Sequence, residues 1–159
     1  MGDVDRPITE AAVRGLVQDW FAALDRHDDV EALLNLLAPT GLVLHLPQAT
    51  VRSHDDFRSW YQGMVATYFD EVHEVLDLRV QATSPLHAEV ALKVNWQSRM
   101  WAPPSANSVW VGVDTAEHWS VVLRDGRPRI RTCTVGGLTP MPGSAAPRAT
   151  ESARESAAA

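Results

Sequence analysis

The chain has 159 residues, a formal net charge of −6 at pH 7 and one cysteine, Cys133. This length is typical of a single domain that buries its own core, the negative charge argues against nucleic-acid binding, and the lone cysteine excludes an intrachain disulfide and fits a reducing compartment. Because the sequence has no run of about 18 apolar residues and residues 1–7 lack an apolar signal core, we expect a cytoplasmic protein without membrane or nucleic-acid partners.

The first half of the chain predicts three helices and one short strand. Apolar residues that recur at three- and four-residue steps indicate the helices, and Thr9 is the expected N-cap of the first of them. Asp28 and Asp29 precede the second helix. The predicted elements are a helix to about residue 27, a helix over 30–37, a strand over 42–46 and a helix that opens at Ser53 or Asp55.

From residue 72 onward the apolar spacing changes from 3.6 to 2, which predicts strands. Asp125-Gly126 is typical of a hairpin turn. The order α-α-β-α-β-β-β-β predicts an α+β fold, in which a cone-shaped, curved antiparallel sheet wraps around the N-terminal helices and leaves a central pocket. The four later strands are expected at residues 72–83, 86–101, 108–123 and 128–138.

The composition changes abruptly after Pro140. Residues 141–159 consist mostly of Ala, Ser, Pro, Gly, Arg and Glu and contain no aromatic or β-branched aliphatic residue. Such a segment buries too little apolar surface to offset the entropy of ordering. We therefore predict one domain over residues 1–140 and a disordered tail over residues 141–159.

Asp25 is the most informative single residue. It continues the apolar row of Val17 and Phe21 by one more turn, so its carboxylate is expected to point into or beside the core. An unpaired carboxylate is costly there, and a carboxylate–histidine pair in an apolar cavity is a common acid–base device. A partly exposed helix end is the alternative for Asp25.

Several short patterns, in their order and spacing, resemble the nuclear-transport-factor-2-like superfamily and its SnoaL-like group. The resemblance covers roughly residues 8–140. It rests on the Trp20-to-Asp25 segment followed by Asp28-Asp29-Val30-Glu31-Ala32-Leu33, on Leu44-His45-Leu46-Pro47, on His73 at a strand start, and on Thr115-Ala116-Glu117-His118-Trp119 followed by Asp125-Gly126.

The resemblance to scytalone dehydratase within this superfamily implies roles for particular residues. Trp20, Asp25 and His73 match a site Trp, an Asp and the His that the Asp orients, and the haloalkane dehydrochlorinase has a similar Asp–His dyad. Further site positions of the dehydratase fall near His45 and at Thr115 and Glu117, while Leu24 replaces a site Tyr. For His45, strand alternation leaves both the cavity and solvent open, and Glu117 shares its face with Trp119 rather than with His118.

Comparison with ketosteroid isomerase of the same superfamily argues against that activity. The position of its general-base Asp falls at or next to Leu46, and its oxyanion-hole Tyr falls at Trp20. Its protonated Asp falls at Glu117, which remains a candidate for a pocket carboxyl. An epoxide hydrolase of the limonene type needs an Asp–Arg–Asp set, which the inward positions do not supply.

The tryptophans indicate the kind of ligand. Trp60 is assigned to the core, whereas Trp20, Trp96 and Trp119 are expected in the pocket wall because their elements line the cavity in the family. Indole walls suit a flat hydrophobic compound, such as a polycyclic aromatic or a polyketide of secondary metabolism. No cysteine pair, His-x-His or phosphate-binding loop is present, so no metal and no cofactor is predicted.

The sequence therefore favours a cofactor-free dehydratase, cyclase or isomerase that acts on a hydrophobic carbonyl compound. Asp25, His73, Glu117 and His45 are its expected acid–base residues, and Trp20, Leu24, Trp96, Thr115 and Trp119 are its expected substrate contacts. A non-catalytic small-molecule-binding or accessory protein of the same fold is the alternative. A homodimer is expected from the resemblance.

Overall fold

A computed structural model of the chain describes residues 6–148. In the described part, three helices and six strands follow one another in an α+β order, as predicted. Their bounds are α1 (Glu10–Asp25), α2 (Val30–Leu34), β1 (Val43–Leu46), β2 (Ala49–Val51), α3 (His54–Thr67), β3 (Tyr68–Ser84), β4 (His87–Trp101), β5 (Ser108–Arg124) and β6 (Arg127–Pro140).

Side-chain caps set the starts of the helices. The Thr9 and Ser53 hydroxyls accept hydrogen bonds from backbone N–H groups in the first turns of α1 and α3, and the Asp29 carboxylate does so for α2. α2 ends three residues earlier than predicted. The following turn brings Leu37 beside Ile130 in a single β-bridge, so tertiary pairing replaces the helix end there.

The sheet has the strand order β2-β1-β6-β5-β4-β3. All neighbouring pairs are antiparallel except β1 and β6, which run parallel. Both this parallel pair and the three-residue strand β2 differ from the expected sheet of five antiparallel strands. The hairpin at Asp125-Gly126 is confirmed, since both residues have the positive φ angles that a tight turn between twisted strands needs.

Interruptions of the strand register accompany the curvature of the sheet around the helices. β3 shifts register three times against β4, and β5 shifts twice against β6; such bulges bend a strand and increase its twist. The concave side packs on α1, whose inward row of Val13, Val17 and Trp20 is buried against it. This arrangement leaves a cavity between α1, α3 and the sheet.

Residues 141–148, the first part of the predicted tail, make hydrogen bonds along β5. Met141 N–H donates to the Gly112 carbonyl, and Ala145 N–H donates to the Trp110 carbonyl. The Ser144 hydroxyl accepts from Gly112 N–H at 2.9 Å. Composition did not reveal this backbone pairing along β5. Residues 149–159 of the predicted tail lie outside the described residues.

Among the helices of residues 6–148, none combines the length and the apolar composition that crossing a membrane requires. The longest, α1, has 16 residues, whereas a spanning helix needs about 20.

Candidate active site

A cavity of about 350 Å³ opens between the concave face of the sheet and the helices. This volume is at the lower end of the range of small-molecule pockets, about 300–1,000 Å³. Its wall is mainly apolar and aromatic, with a few polar groups. The aromatic residues of the wall are Trp20, Phe21, Phe57, Trp60, Tyr61, Tyr68 and Trp96, and its titratable residues include Glu71, His73, Glu117 and Cys133.

Asp25 and His73 form a direct pair at this wall. The last residue of α1 presents its carboxylate to β3: Asp25 Oδ1 lies 2.6 Å from His73 Nδ1, and Asp25 Oδ2 accepts the His73 backbone N–H at 3.0 Å. The side chains are 25% and 13% exposed, so the pair is shielded without being sealed off. Two contacts from one carboxylate fix both the backbone and the ring of His73.

This pairing also determines which ring nitrogen of His73 carries a proton. An ionised carboxylate only accepts hydrogen bonds, so Nδ1 must hold the hydrogen that it donates to Asp25. In neutral imidazole the lone pair then lies on Nε2. The ring is flanked by Phe21 at a centroid distance of 5.0 Å and by Trp96 at 6.4 Å. His73 therefore lines the cavity with its ring fixed by Asp25, and in the neutral ring Nε2 is the nitrogen without a proton.

Glu117 of β5 brings a second kind of carboxyl to the cavity. Trp119 Nε1–H donates to its Oε1 at 3.2 Å, and the Cys133 thiol approaches the same oxygen at 3.7 Å. Its Oε2 lies 3.3 Å from the Thr115 hydroxyl, which is equally close to the Val94 carbonyl. Glu117 is partly exposed and lines the cavity.

Burial governs the ionisation of this cluster. It raises the pKa of Glu117 from its ordinary value of 4.5, and the hydrogen bond from Trp119, the charge of His73 and the bonds from Thr115 and Cys133 only partly oppose the change. Burial likewise raises the pKa of Cys133 well above 9.0, and the neighbouring Glu117 adds to the effect. Cys133 is therefore a thiol near neutral pH, and burial favours the protonated form of Glu117 relative to an exposed carboxyl.

Replacing Glu117 with Gln should make folding stability less dependent on pH. The folded protein retains a proton that the unfolded chain loses above about pH 4.5, so this group removes stability as pH rises from there toward the folded pKa. The free energy of unfolding of E117Q relative to wild type should therefore rise by up to about 1.4 kcal/mol per pH unit within this window.

Urea unfolding at several pH values between 4 and 8 measures this difference. The control is Glu74→Gln, which removes an exposed carboxylate from the same sheet. A wild-type minus E117Q difference that is the same at every pH would contradict the raised pKa.

Glu71 of β3 is a site residue that the sequence did not reveal. Its carboxylate is 5% exposed, lines the cavity and pairs through Oε2 with His27 Nε2, while its Oε1 accepts the Trp96 indole N–H at 3.0 Å. The expected start of this strand at residue 72 was wrong by four residues. With the strand begun at Tyr68, period-two alternation from His73 would have placed Glu71 on the inward face.

Four of the expected substrate contacts line the cavity, and so does one tryptophan that was assigned to the core. Trp20, Leu24, Trp96 and Thr115 line the cavity. Trp60, assigned to the core from sequence, lines it as well. It packs on Phe57 at 5.5 Å and keeps part of its surface exposed, because α3 forms one side of the cavity rather than only covering the core.

Two expected site residues lie elsewhere. His45 is exposed and does not line the cavity, because on β1 the alternate residues Leu44 and Leu46 take the inward face. Trp119 is fully buried behind the wall, in edge contact with Trp20, and reaches the site only through its bond to Glu117. His45 is thus removed from the candidate acid–base residues, and Trp119 from the direct substrate contacts.

Tyr61 also borders the cavity, but its hydroxyl proton is already used in a hydrogen bond to the backbone. Its hydroxyl donates to the Asp28 carbonyl at 2.6 Å. Burial, together with the charges of Asp28 and Glu71, raises the pKa of Tyr61 to about 12.

Within the described residues, no group of three or more His, Cys, Asp or Glu side chains is arranged to hold a metal ion.

A family model described as a SnoaL-like domain matches residues 17–130. This match spans more than half of the chain, which therefore belongs to the SnoaL-like family. None of the curated proteins compared matches the sequence.

Solved structures share the fold at low sequence identity. The hexachlorocyclohexane dehydrochlorinase LinA-type3 from Novosphingobium barchaimii LL02 is 15% identical, with a TM-score of 0.69 over 87% of this chain and 94% of its own. A candidate scytalone dehydratase from Novosphingobium aromaticivorans DSM 12444 is 16% identical, with a TM-score of 0.69 over 88% and 89%. An NTF2-like superfamily protein from Salmonella enterica is 10% identical, with a TM-score of 0.69 over 80% and 89%. These likenesses establish the NTF2-like fold.

Proposed function

We propose that this SnoaL-like protein is a cofactor-free acid–base enzyme that removes a proton next to a carbonyl group in a hydrophobic compound. The observation that carries the proposal is the Asp25–His73 pair, with Nδ1 and Oδ1 2.6 Å apart at the wall of an apolar cavity. Such a pair fixes the tautomer of the ring and keeps one imidazole nitrogen available as a base.

The reaction follows from the positions of the polar groups. Nε2 of His73 takes the proton from the carbon next to the carbonyl, and the electron pair of the C–H bond moves into an enolate. The protonated carboxyl of Glu117 donates a hydrogen bond to the enolate oxygen, where charge develops. Elimination of a β-substituent, reprotonation elsewhere or attack on a second carbonyl then yields dehydration, isomerisation or cyclisation.

The cavity wall supports a flat, largely apolar substrate. Trp20, Trp60 and Trp96 present aromatic faces to a space of about 350 Å³, and aromatic stacking there adds about 0.5–1.5 kcal/mol per ring pair beyond burial. An aromatic or polyketide-like carbonyl compound meets these requirements. The dehydrochlorinase and the candidate dehydratase of similar fold are named for elimination reactions, which favours elimination among the three outcomes.

A β-(p-nitrophenoxy) phenyl ketone tests the proposal directly. Removal of its α-proton releases coloured nitrophenolate, so the rate can be followed by absorbance. We expect wild type to accelerate this elimination and His73→Ala to lower kcat/KM by about 10²- to 10⁴-fold, the usual contribution of a positioned base. His118→Ala, which removes an exposed histidine on β5, is the matched control and should leave the rate unchanged.

Two outcomes would contradict the proposal. Equal rates for His73→Ala and wild type would exclude the dyad as the base. If the ketone quenches the fluorescence of wild-type tryptophans without being converted, the protein is a small-molecule-binding member of the family rather than an enzyme. Circular dichroism of each variant separates loss of the base from loss of the fold.

A further inference from the structure

We infer that Glu71 and His27 are a second acid–base pair, which protonates the group that leaves the substrate. This inference rests on the proposed function, because it supplies the acid for an elimination that His73 begins as base. Glu71 lines the cavity two residues before His73 on β3. The two side chains therefore occupy successive inward positions of one strand.

The two pairs are arranged with opposite polarity. α1 and the turn after it provide Asp25 and His27, and β3 provides His73 and Glu71 as their respective partners. In the first pair the imidazole faces the cavity and the carboxylate stands behind it. In the second pair the carboxylate faces the cavity, and its imidazole lies behind at 27% exposure. One pair therefore offers a base to the substrate, and the other offers a carboxyl.

Both segments that carry the second pair contain a residue with an unfavourable backbone conformation. His27 and Asp70 have φ angles of 51° and 52°, a left-handed region that L-residues other than Gly rarely adopt. Asp70 and Glu71 together stand opposite one residue of β4, since Phe69 pairs with Arg99 and Val72 with Gln97. This bulge accompanies the inward position of Glu71 at the cavity wall.

Two side-chain contacts, one at each oxygen, fix the position of the Glu71 carboxyl. Trp96 Nε1–H binds Oε1 at 3.0 Å, and Oε2 shares a hydrogen with His27 Nε2. When Glu71 and His27 together carry no net charge, one exchangeable proton lies between Glu71 Oε2 and His27 Nε2. Because the His27 ring is partly exposed whereas the Glu71 carboxyl is 5% exposed, His27 can exchange protons with solvent for a carboxyl that solvent scarcely reaches.

The complete elimination balances in protons and electrons. His73 Nε2 accepts the α-proton, the carbon–carbon double bond forms, and the bond from the β-carbon to oxygen breaks. The departing oxygen takes its proton from the Glu71 carboxyl and leaves as water or an alcohol. A proton taken up from solvent through His27 then restores the one shared between His27 Nε2 and Glu71 Oε2, while His73 releases the proton it accepted.

A series of β-substituted phenyl ketones separates this role from that of His73. All members have the same α-proton, but they expel nitrophenoxide, phenoxide or hydroxide, which need an acid to increasing degrees. For Glu71→Gln we expect the hydroxide rate to fall by about 10²-fold more than the nitrophenoxide rate, relative to wild type. His73→Ala should slow all three.

His27 acts through Glu71 and is a positioning residue, so its test uses the same series. His27→Asn suits the left-handed backbone, and its rates should become more sensitive to the leaving group in the way that those of E71Q do. Asp70→Asn is the matched control, because Asp70 is the exposed carboxylate next in sequence and also has a positive φ. It should leave the whole series unchanged.

The possible outcomes distinguish the two hypotheses. Equal losses for all leaving groups in E71Q, or no loss for any, would overturn the acid role while leaving His73 as base. Failure of wild type to expel hydroxide, combined with rapid loss of nitrophenoxide, would also overturn it. If no member of the series reacts with wild type, the proposed function itself fails. A greater loss for poorer leaving groups, confined to E71Q and H27N, would support the pair.

Discussion

Replacing Asp25 with Asn should lower the rate of proton removal by about 10²- to 10⁴-fold and leave the fold intact. The amide oxygen of the new side chain can still accept the backbone N–H of His73, as Asp25 Oδ2 does now. The amide NH₂ would then face Nδ1 at the position of Oδ1. Nδ1 must become an acceptor, so the ring proton moves to Nε2. His73 would thus present a donor to the substrate in place of a base.

The nitrophenoxy ketone gives the rate, and thermal unfolding gives the integrity of the fold. Asp19→Asn is the matched control, because Asp19 is an exposed carboxylate on the same helix and its change removes the same charge. The change of tautomer should lower kcat specifically and change ligand binding little. An active D25N protein would mean that His73 does not act through the tautomer that Asp25 selects.

The fold class was predictable because it depends on apolar periodicity over long segments. The inward row of α1 and the alternation of Val90, Leu92 and Val94 on β4 repeat often enough to identify an element from sequence. The parallel contact between β1 and β6 was not predictable in this way. It involves three register pairs between segments about 90 residues apart, and a four-residue strand carries no signal for the direction of its partner.

The proximity of Asp25 and His73 was predicted from a buried carboxylate and a family landmark, whereas their catalytic role stays a prediction. Glu71 escaped detection for a physical reason. It precedes the expected strand start at residue 72 and lies in a bulge, where two residues oppose one, so alternation counted from the true start at Tyr68 would not have reached it in phase. His27 was not among the predicted site residues, because its pairing with Glu71 depends on a left-handed turn that the sequence Arg-His-Asp does not indicate.

The segment over residues 141–148 illustrates the limit of composition as a guide. Its few apolar side chains give it little reason to pack, yet Gly112 of β5 leaves room for it. A Cβ at that position would lie 2.8 Å from Met141 Sδ and would also clash with the Trp110 ring. Arg148 N–H also binds the Tyr68 hydroxyl at 2.7 Å. As a result, Pro147 and Arg148 form part of the cavity wall.

Replacing Trp119 with Ala should lower the free energy of unfolding by about 3–5 kcal/mol, the usual cost of truncating a buried aromatic residue. Trp119 is fully buried and packs on Trp20 and Phe21, at centroid distances of 6.4 and 5.9 Å. Typical domains are stable by only about 5–15 kcal/mol. Phe21 in turn packs on His73 at 5.0 Å, so the cavity left by W119A would also loosen the support of the proposed base.

Urea unfolding of W119A, W119F and wild type separates packing from hydrogen bonding. Phe retains most of the volume but lacks the indole N–H, so W119F should lose about 1–3 kcal/mol, the cost of leaving the buried Glu117 oxygen without that donor. Trp101→Ala, at a residue that is 55% exposed, should stay within about 1 kcal/mol of wild type. A W119A protein as stable as W101A would show that the cavity wall does not depend on Trp119. The expected order instead implies that this indole supports the site from behind, through Phe21 to the proposed base His73 and through its hydrogen bond to Glu117, the proposed donor to the enolate oxygen.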